Sequence, residues 1–267
     1  MKLKIFCLLL TSSLICTLAA QTLNQSVVLS SGGGFATGEN YSNFAVLGET
    51  FVASPVAAAT TSTSIGFIYR TADVQATLLN LTIFLEGLYA GGGFMTKAQN
   101  ASGDQFGGTI ADKISLELHN AISYATTVYT NNNVDLNTDG IASLSVPAGI
   151  SGSYYVTVKH RNSIETVSAA PLTFSGSPLS YNFSLNEHQA LGNNLKQLGE
   201  GVFGIFSGDT NGDGAVDALD LIDLENDAAN FATGYLFTDL NGDGSVDALD
   251  MILADNNSAA FVSAVTP

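Results

Sequence analysis

The pattern of hydrophobic and polar positions changes once along the chain, close to Gly199. Before this point, short runs of alternating apolar and polar residues are separated by Gly, Asn and Pro, which is typical of strands that bury one face in a sheet. After it the alternation stops, and Asp-rich segments precede short apolar stretches. The pattern predicts a mainly β chain that ends in a small α-helical module.

Residues 76–198 carry the strongest β pattern, which is clearest over 154–159. Several short strands joined by turns that contain Gly, Asn and Pro predict an antiparallel β-sandwich of immunoglobulin-like or prealbumin-like form. The Gly- and Asn-rich segment 91–108 is expected to be a long surface loop. The predicted strands are 78–85, 114–119, 123–129, 142–146, 153–160 and 179–185.

The first 73 residues divide into a leader-like segment and a small β module. Lys2 and Lys4 precede an uncharged, largely apolar run over 5–20, which predicts a Sec-type signal peptide over 1–20. This run is shorter than the ~20 residues that a membrane-spanning helix needs, so no membrane insertion is expected. Residues 21–73 predict a small β module with strands at 25–30, 43–51 and 64–69. We therefore expect a secreted protein, extracellular or at the cell surface, with the periplasm left open.

Cysteine content and charge exclude or disfavour several classes of site and ligand. Cys7 and Cys16 both lie in the predicted leader, so the mature chain would contain no disulfide and no cysteine metal site. The chain carries 24 acidic and 8 basic residues, and 13 of the acids but no Lys or Arg fall in 200–267. Such a charge balance disfavours binding to nucleic acid or anionic membranes. A hydrophobic content of 46% distinguishes the chain from a disordered acidic tail.

A repeat accounts for most of these acids. Residues 209–220 (DTNGDGAVDALD) recur as 239–250 (DLNGDGSVDALD), identical at 10 of 12 positions. Calcium takes about six to eight oxygen ligands, and a 12-residue loop supplies them from positions 1, 3, 5, 7, 9 and 12, with position 7 giving a backbone carbonyl. Position 6 is Gly in both loops, as the sharp turn there requires, and Asp replaces the usual Glu at position 12. We predict two Ca²⁺ ions, bound by Asp209, Asn211, Asp213, Ala215, Asp217 and Asp220, and by Asp239, Asn241, Asp243, Ser245, Asp247 and Asp250.

Residues 203–267 resemble a dockerin module, in which two calcium loops are each followed by a helix and no helix leads into the loop. The resemblance implies a cohesin-like or other surface protein as partner, bound through the helices and through loop positions 10 and 11. Asn226 and the pair 256–257 interrupt the apolar pattern, which predicts helices of about two turns. The implied partner-binding residues are Ala218, Leu219, Ala248 and Leu249.

The middle of the chain resembles the C-terminal part of secreted Bacteroidetes proteins, in which a β-sandwich is joined to a dockerin-like tail. The segments that carry this resemblance are 85–89, 110–112, 158–165 and 193–198, the last leading into 208–209. The start of the chain through 66–68 resembles a small N-terminal module of the same bacteria. These resemblances imply an architecture rather than an activity.

Candidate catalytic groups show no spacing that favours a reaction. The histidines are scattered, and His160 with Arg161 at a strand end is expected to fix a turn. Three strand glutamates could in principle form the carboxylate pair of a glycosidase. No nucleophile elbow, phosphate loop or zinc helix motif occurs in the sequence, and it contains no Trp to stack on a sugar. The candidates are His119, His160, His188, Glu86, Glu117 and Glu165.

The leading hypothesis is a secreted, non-catalytic modular protein whose calcium-dependent, dockerin-like tail docks or attaches it. Two alternatives remain open. The chain could be a glycan-active or glycan-binding component of extracellular polysaccharide degradation, docked through a cohesin, or a calcium-stabilised surface adhesin. A glycan ligand is compatible with the sequence but not supported by it. Under the leading hypothesis, chelation should unfold 203–267 and spare the sandwich.

Overall fold

The computed structural model describes residues 4–10, 13–19, 34–38, 41–45, 63–64, 67–68, 75–199 and 201–267. The chain divides into two compact units, Met1–Val74 and Gln75–Pro267. The described parts of the first unit are three antiparallel strand pairs. The strand predicted at 25–30, and the cleavage site predicted beside Gln21, lie outside the described residues. The six strands are β1 (Lys4–Leu10), β2 (Ser13–Ala19), β3 (Gly34–Gly38), β4 (Tyr41–Ala45), β5 (Thr63–Ser64) and β6 (Phe67–Ile68).

The described residues of the second unit form fourteen strands, two short 3-10 helices and two α-helices. The strands up to β14 are β7 (Thr77–Thr82), β8 (Tyr89–Gly91), β9 (Phe94–Met95), β10 (Gln99–Asn100), β11 (Gly103–Asp104), β12 (Ile110–Asn120), β13 (Thr127–Asn137) and β14 (Ile141–Val146). The others are β15 (Gly152–His160), β16 (Ser163–Val167), β17 (Leu172–Phe174), β18 (Leu179–Asn182), β19 (Lys196–Gly199) and β20 (Val202–Gly204). The 3-10 helices are Glu187–Gln189 and Leu191–Asn193, and the α-helices are α1 (Ala218–Ala229) and α2 (Ala248–Ala259).

One curled sheet forms the body of this unit, in the order β16-β15-β12-β13-β14-β7-β18, with β17 paired to the start of β15. All pairs are antiparallel except β18 with β7. β13 and β14 share only the residue pair Leu136 and Ala142. Side chains from the strands on both sides of this single pair pack into one core, which includes Leu81 of β7, Leu116 of β12 and Val156 of β15. The mainly β, sandwich-like architecture predicted from the sequence is therefore confirmed.

The strand predicted at 123–129 is wrong in position. Residues 123–126 form a turn closed by the Thr126 N–H on the Ser123 carbonyl (2.9 Å), and β13 begins only at Thr127. β13 then continues through three asparagines, Asn131–Asn133, because pairing with the long strand β12 outweighs their weak strand preference. The short strands β16 and β17 were not predicted.

The segment 91–108 is not a simple surface loop. It contains β9, β10 and β11, and the side chains of Met95 and Ala98 are buried. The N–H of Gln99 donates to the carbonyl of Gly242 at 2.8 Å, so this segment packs against the second Asp-rich loop. A segment rich in Gly and Asn predicts turns, but it does not show whether those turns pack against another part of the fold.

The chain enters the C-terminal module through hydrogen bonds to the sandwich. Residues 205–208 bond on one side to the segment after β7, and on the other to β16 and to the turn that precedes it. Val216 and Val262 of the module also belong to the sandwich core. Contacts of this kind join the two parts into one compact unit. The bonds are Ile205 N–H to Phe84 O (2.8 Å), Glu86 N–H to Ile205 O (3.0 Å), Ile164 N–H to Phe206 O (3.1 Å) and Gly208 N–H to Asn162 O (2.8 Å).

The helices are longer than predicted, at 12 residues each. Asn226 and Asn256 face solvent, where an amide does not oppose helix formation strongly. Asn257 is buried, but its amide donates to Glu86 Oε2 (2.6 Å) and to the Ser207 carbonyl (2.7 Å). These tertiary bonds compensate for the low helix propensity that led the prediction to stop too early. No helix in the described residues is both long and apolar enough to cross a membrane.

Candidate metal centre

Each Asp-rich loop is held by the segment that follows the other helix. We call residues 209–220 loop 1 and residues 239–250 loop 2. The bonds that hold them are Val216 N–H to Val262 O (2.9 Å) and Ala264 N–H to Gly214 O (2.7 Å) for loop 1, and Val246 N–H to Ala232 O (2.9 Å) and Gly234 N–H to Gly244 O (2.9 Å) for loop 2. These bonds bracket position 7, Ala215 or Ser245, and do not use its carbonyl, which is the predicted ligand.

Positions 9 and 12 of each loop also start the helix that follows. Asp217 is the N-cap of α1, where its carboxylate accepts the Leu219 N–H (2.8 Å). Asp220 lies in the first turn and accepts the Asp217 N–H (2.9 Å), which completes a capping box. Asp247 and Asp250 form the same box on α2. The loop sequence therefore specifies both a carboxylate cluster and a helix start.

Position 12 is fully buried in both loops. The Oδ1 atom of Asp220 accepts the N–H groups of Thr210 (2.8 Å) and Asn211 (3.2 Å). Asp250 accepts the corresponding N–H groups in loop 2, from Leu240 (2.8 Å) and Asn241 (3.0 Å). Burial raises the pKa of Asp250, although these backbone hydrogen bonds oppose the shift. Each position-12 carboxylate thus lies against the start of its own loop.

Positions 3 and 5 bend the loop through bonds to the backbone two residues ahead. Asn211 Oδ1 accepts the Asp213 N–H (2.8 Å), and Asp213 Oδ1 accepts the Ala215 N–H (3.0 Å). The same two bonds recur in loop 2 from Asn241 and Asp243. Such side-chain turns leave one oxygen of each aspartate free of the backbone.

Position 1 differs between the loops. Both carboxylate oxygens of Asp209 are hydrogen-bonded, Oδ1 to the N–H of Gly212 (2.7 Å) and Oδ2 to the N–H of Gly214 (3.0 Å). Asp239 Oδ2 accepts the Gly244 N–H (3.1 Å), but Asp239 Oδ1 is buried with no hydrogen-bond partner among the described residues. Burial raises the pKa of Asp239 to about 6, and the charge of Asp250 adds to the shift, while Arg161 opposes it.

The predicted ligands of each loop lie within the same loop, but their oxygens do not converge on a common coordination centre. No group of three Asp, Glu, His or Cys side chains in the part of the chain described here stands at metal-binding distances. The side chains bond to loop N–H groups instead, as the preceding contacts show. What the fold supplies is the loop backbone and the buried position-1 and position-12 carboxylates.

This donor set fits a calcium ion. All the predicted side-chain donors are oxygens, which a hard cation prefers to nitrogen or sulfur. The unpaired, buried Oδ1 of Asp239 is a carboxylate oxygen that a cation would satisfy. Burial also raises the pKa of Asp209, with the charges of Asp220 and Asp213 adding to it. A bound cation would relieve that crowding of negative charge.

The residues implied as partner-binding lie on the surface. Ala218, Leu219, Ala248 and Leu249 are all exposed, at the first two positions of the helices. Ile222 and Ile252, one turn further along, are also exposed. The repeat therefore carries the same exposed apolar residues onto both helices.

Two exposed phenylalanines follow the helices and were not predicted as functional. Phe231 and Phe261 are 87% and 88% exposed and adopt positive φ angles of 51° and 55°. The left-handed region is costly for a bulky residue and is usually taken by Gly after a helix. Their equivalence over the 30-residue repeat is the signal in the sequence that could have identified them.

The candidate catalytic residues are tied into ion pairs and hydrogen bonds. Lys159 Nζ lies 3.0 Å from Glu117 and 3.1 Å from Glu165, and His119 Nε2 lies 3.0 Å from Glu117. Glu86 pairs with Lys196 at 2.6 Å at the junction with α2. The exposed His188 bonds to Asn193 (2.8 Å).

His160 and Arg161 do hold a turn, as expected. His160 Nε2 lies 3.1 Å and Arg161 Nε 3.3 Å from Asp112 Oδ2, while the Tyr235 hydroxyl bonds to Asp112 Oδ1. The Arg161 guanidinium lies 4.4 Å from the centre of the Tyr235 ring. Burial alone would raise the pKa of Asp112, but His160, Arg161 and Tyr235 lower it to about 2. This cluster joins the sandwich to the segment just before loop 2.

A groove beside loop 1 separates it from the sandwich. Its volume is about 380 Å³, and its walls include Lys159 and Glu165 on one side and Asp209 and Asp213 on the other. In loop 2, by contrast, Gly242 and Gly244 are buried. The two loops therefore have different surroundings despite their common sequence.

One family model matches the chain, and it agrees with the resemblance to a dockerin. Residues 207–257 match the model of the dockerin type I domain, which covers both loops, α1 and most of α2. The curated proteins give no match. Two solved structures align over 68% of this chain and 95% of theirs, with identities of 13% and 14% and TM-scores of 0.37 and 0.38. They are N-terminal and C-terminal interface mutants of the type II Cohesin-X-Dockerin complex from Acetivibrio cellulolyticus.

Proposed function

We propose that this chain is a secreted, non-catalytic modular protein that docks onto a cohesin-like surface protein through its C-terminal module, in a calcium-dependent way. The observation that carries the proposal is the repeat itself: two calcium-type loops, each starting a helix with the same exposed apolar residues. Type I dockerins bind calcium, and the residues that match that family include both loops. We assign one ion to each loop, with the ligands predicted from the sequence.

Charge and apolar exposure define the partner that would fit. Leu219 and Ile222 on α1, and Leu249 and Ile252 on α2, give two small apolar strips. Residues 200–267 contain no Lys or Arg to offset their acids. A partner with an apolar strip bordered by basic side chains would complement this surface.

The sandwich serves in this proposal as the carrier of the docking module. Its glutamates fit that role, because Glu117 and Glu165 both pair with the ammonium group of Lys159. Glu86 is used in the junction with the module. The sandwich would fix the second loop of the module.

The test is binding of the full chain to a panel of purified cohesins by titration calorimetry, in calcium and in a chelator. We expect one or more cohesins to bind in calcium and none in the chelator. Leu219→Asp combined with Leu249→Asp should abolish binding without lowering the melting temperature, because both side chains are exposed. Leu78→Asp, at an exposed leucine of β7, is the matched control and should bind normally. Calcium-independent binding, or binding unaffected by the double change, would contradict the proposal.

A further inference from the structure

Three buried polar atoms have no hydrogen-bond partner among the described residues: Arg161 Nη2, Asn162 Oδ1 and Asp239 Oδ1. They belong to one contact. Asn162 Nδ2 donates to the Asp239 carbonyl at 2.9 Å, and Arg161 Nη1 donates to the Leu236 carbonyl. Arg161 and Asn162 form the turn between β15 and β16, so the contact joins the sandwich to the entrance of loop 2.

Leaving such atoms unpaired is costly. A buried donor or acceptor without a partner costs roughly 1–3 kcal/mol, and native proteins contain few of them. The side chains of Asn162 and Asp239 are 1% and 0% exposed, so bulk water does not satisfy them. Two of the three atoms, Asn162 Oδ1 and Asp239 Oδ1, are acceptor oxygens, and the second belongs to position 1 of a calcium-type loop, where a cation would satisfy it. Arg161 Nη2 is a donor and would not be satisfied by a cation.

The counterpart in loop 1 lacks this feature. Asp209 has both carboxylate oxygens bonded within its own loop, to Gly212 and Gly214. Gly212 is exposed, whereas Gly242 is buried against Leu88 and Ala98 of the sandwich unit. Loop 2 is therefore fixed from outside by residues that are not part of the repeat.

We propose that Asn162 is a positioning residue of the second calcium site, and that it makes loop 2 bind calcium more tightly than loop 1. Its amide holds the main chain of Asp239, and the Asp239 Oδ1 atom stays free for the ion. Outer-shell residues of this kind orient the ligand and reduce what must be ordered on binding. This inference rests on the proposed calcium binding and extends it to a residue outside the dockerin module.

The test isolates each loop in the full chain. Asp213→Ala disables loop 1 and leaves loop 2, and Asp243→Ala does the reverse. Calcium affinity is measured by titration calorimetry in each background, with and without Asn162→Ala. We expect the loop 2 background to bind more tightly than the loop 1 background, and Asn162→Ala to weaken only the former, by roughly 10-fold. Asn132→Ala, at an exposed asparagine of β13, is the control and should change neither.

Several outcomes would overturn the inference. Equal affinities in the two backgrounds, tighter binding by loop 1, or equal weakening of both loops by Asn162→Ala would each show that Asn162 has no specific part in site 2. Asn162→Leu, which has a similar side-chain shape, no amide donor and no charge, provides a second variant in case Asn162→Ala does not fold. If neither background takes up calcium, the proposed function itself has failed, and this result is distinguishable from the others.

Discussion

Loop 1 and loop 2 have nearly the same sequence but different neighbours. Loop 1 borders an open groove, and both oxygens of Asp209 are bonded within the loop. Loop 2 packs on the sandwich, where Asn162 fixes the main chain of Asp239 and leaves one oxygen of its carboxylate unpaired. A repeat therefore specifies the ligand types at a site, whereas the surrounding fold determines how well each site is organised.

The residues that follow the loops show the same difference. Asn257 of α2 is buried among Glu86, Lys196 and Ser207 of the sandwich and junction. The equivalent residue of α1 is Asp227, which bonds instead to Thr238 of its own module. The repeat has diverged at this position, where only one copy meets the sandwich.

Removing calcium from both loops should have the largest effect. Each site that is saturated at about 100 times its Kd adds about 2.7 kcal/mol to stability, so two such sites add roughly 5 kcal/mol. We expect a chelator to lower the melting temperature of Gln75–Pro267 as a whole, because the module and the sandwich share hydrogen bonds and core residues. The sequence alone predicts instead that chelation unfolds residues 203–267 and leaves the sandwich folded.

Differential scanning calorimetry measures this effect. The combination of Asp213→Ala with Asp243→Ala should reproduce the chelated melting curve and make it insensitive to added calcium. A sandwich transition that stays at the same temperature when the module melts would show that the two parts are not coupled.

Breaking the cluster that supports loop 2 should be the next largest effect. Asp112→Ala leaves His160 and Arg161 buried without their anion, and breaking a buried ion pair in this way costs about 3–5 kcal/mol. Urea unfolding measures the loss. The control is Asp135→Ala, which removes an exposed partner of Lys113 and should cost less than about 1 kcal/mol.

The same carboxylate predicts a pH dependence. The pKa of Asp112 falls from 3.8 to about 2 in the folded chain, so its stabilising contribution is fully present above pH 3.8 and is lost as the pH falls toward 2. The free energy of unfolding of the native chain should therefore fall over this range more than that of Asp112→Asn. Identical acid profiles for the two proteins would contradict the assignment.

Alanine at the equivalent glycines compares the two loops directly. Gly212 and Gly242 have similar φ angles of 74° and 70°, so the backbone strain of an added Cβ is the same, about 1–2 kcal/mol. A Cβ at Gly212 meets nothing within 4 Å, whereas one at Gly242 lies 2.3 Å from Leu88 Cδ2. Gly242→Ala should cost about 1–3 kcal/mol more than Gly212→Ala in urea unfolding. Equal costs would mean that loop 2 is not packed on the sandwich.

The smallest effect on stability is expected at Phe231 and Phe261. Both side chains are exposed, so replacement by Gly removes little packing and relieves a left-handed conformation that favours glycine. We expect each change to raise the free energy of unfolding by up to about 1 kcal/mol. Destabilisation of either variant would indicate that the phenylalanine packs in a way that its exposure does not suggest.

Much of this architecture could be predicted from the sequence because the signals were local. The alternation along β14 and β15 and the spacing of the Asp residues require only the nearest neighbours in the chain. β13 and the full length of α2 could not be predicted, because pairing with β12 and the bonds of Asn257 to Glu86 are long-range contacts. Asn162 was missed for the same reason, since nothing in its own segment identifies Asp239 as its partner.

The most direct test of this account is titration of the calcium-free full chain with Ca²⁺ by isothermal calorimetry. We expect two ions per chain, taken up in two steps of unequal affinity, with the tighter step lost in Asp243→Ala and the weaker step lost in Asp213→Ala. No calcium uptake up to millimolar concentrations, or uptake that survives both changes together, would contradict it.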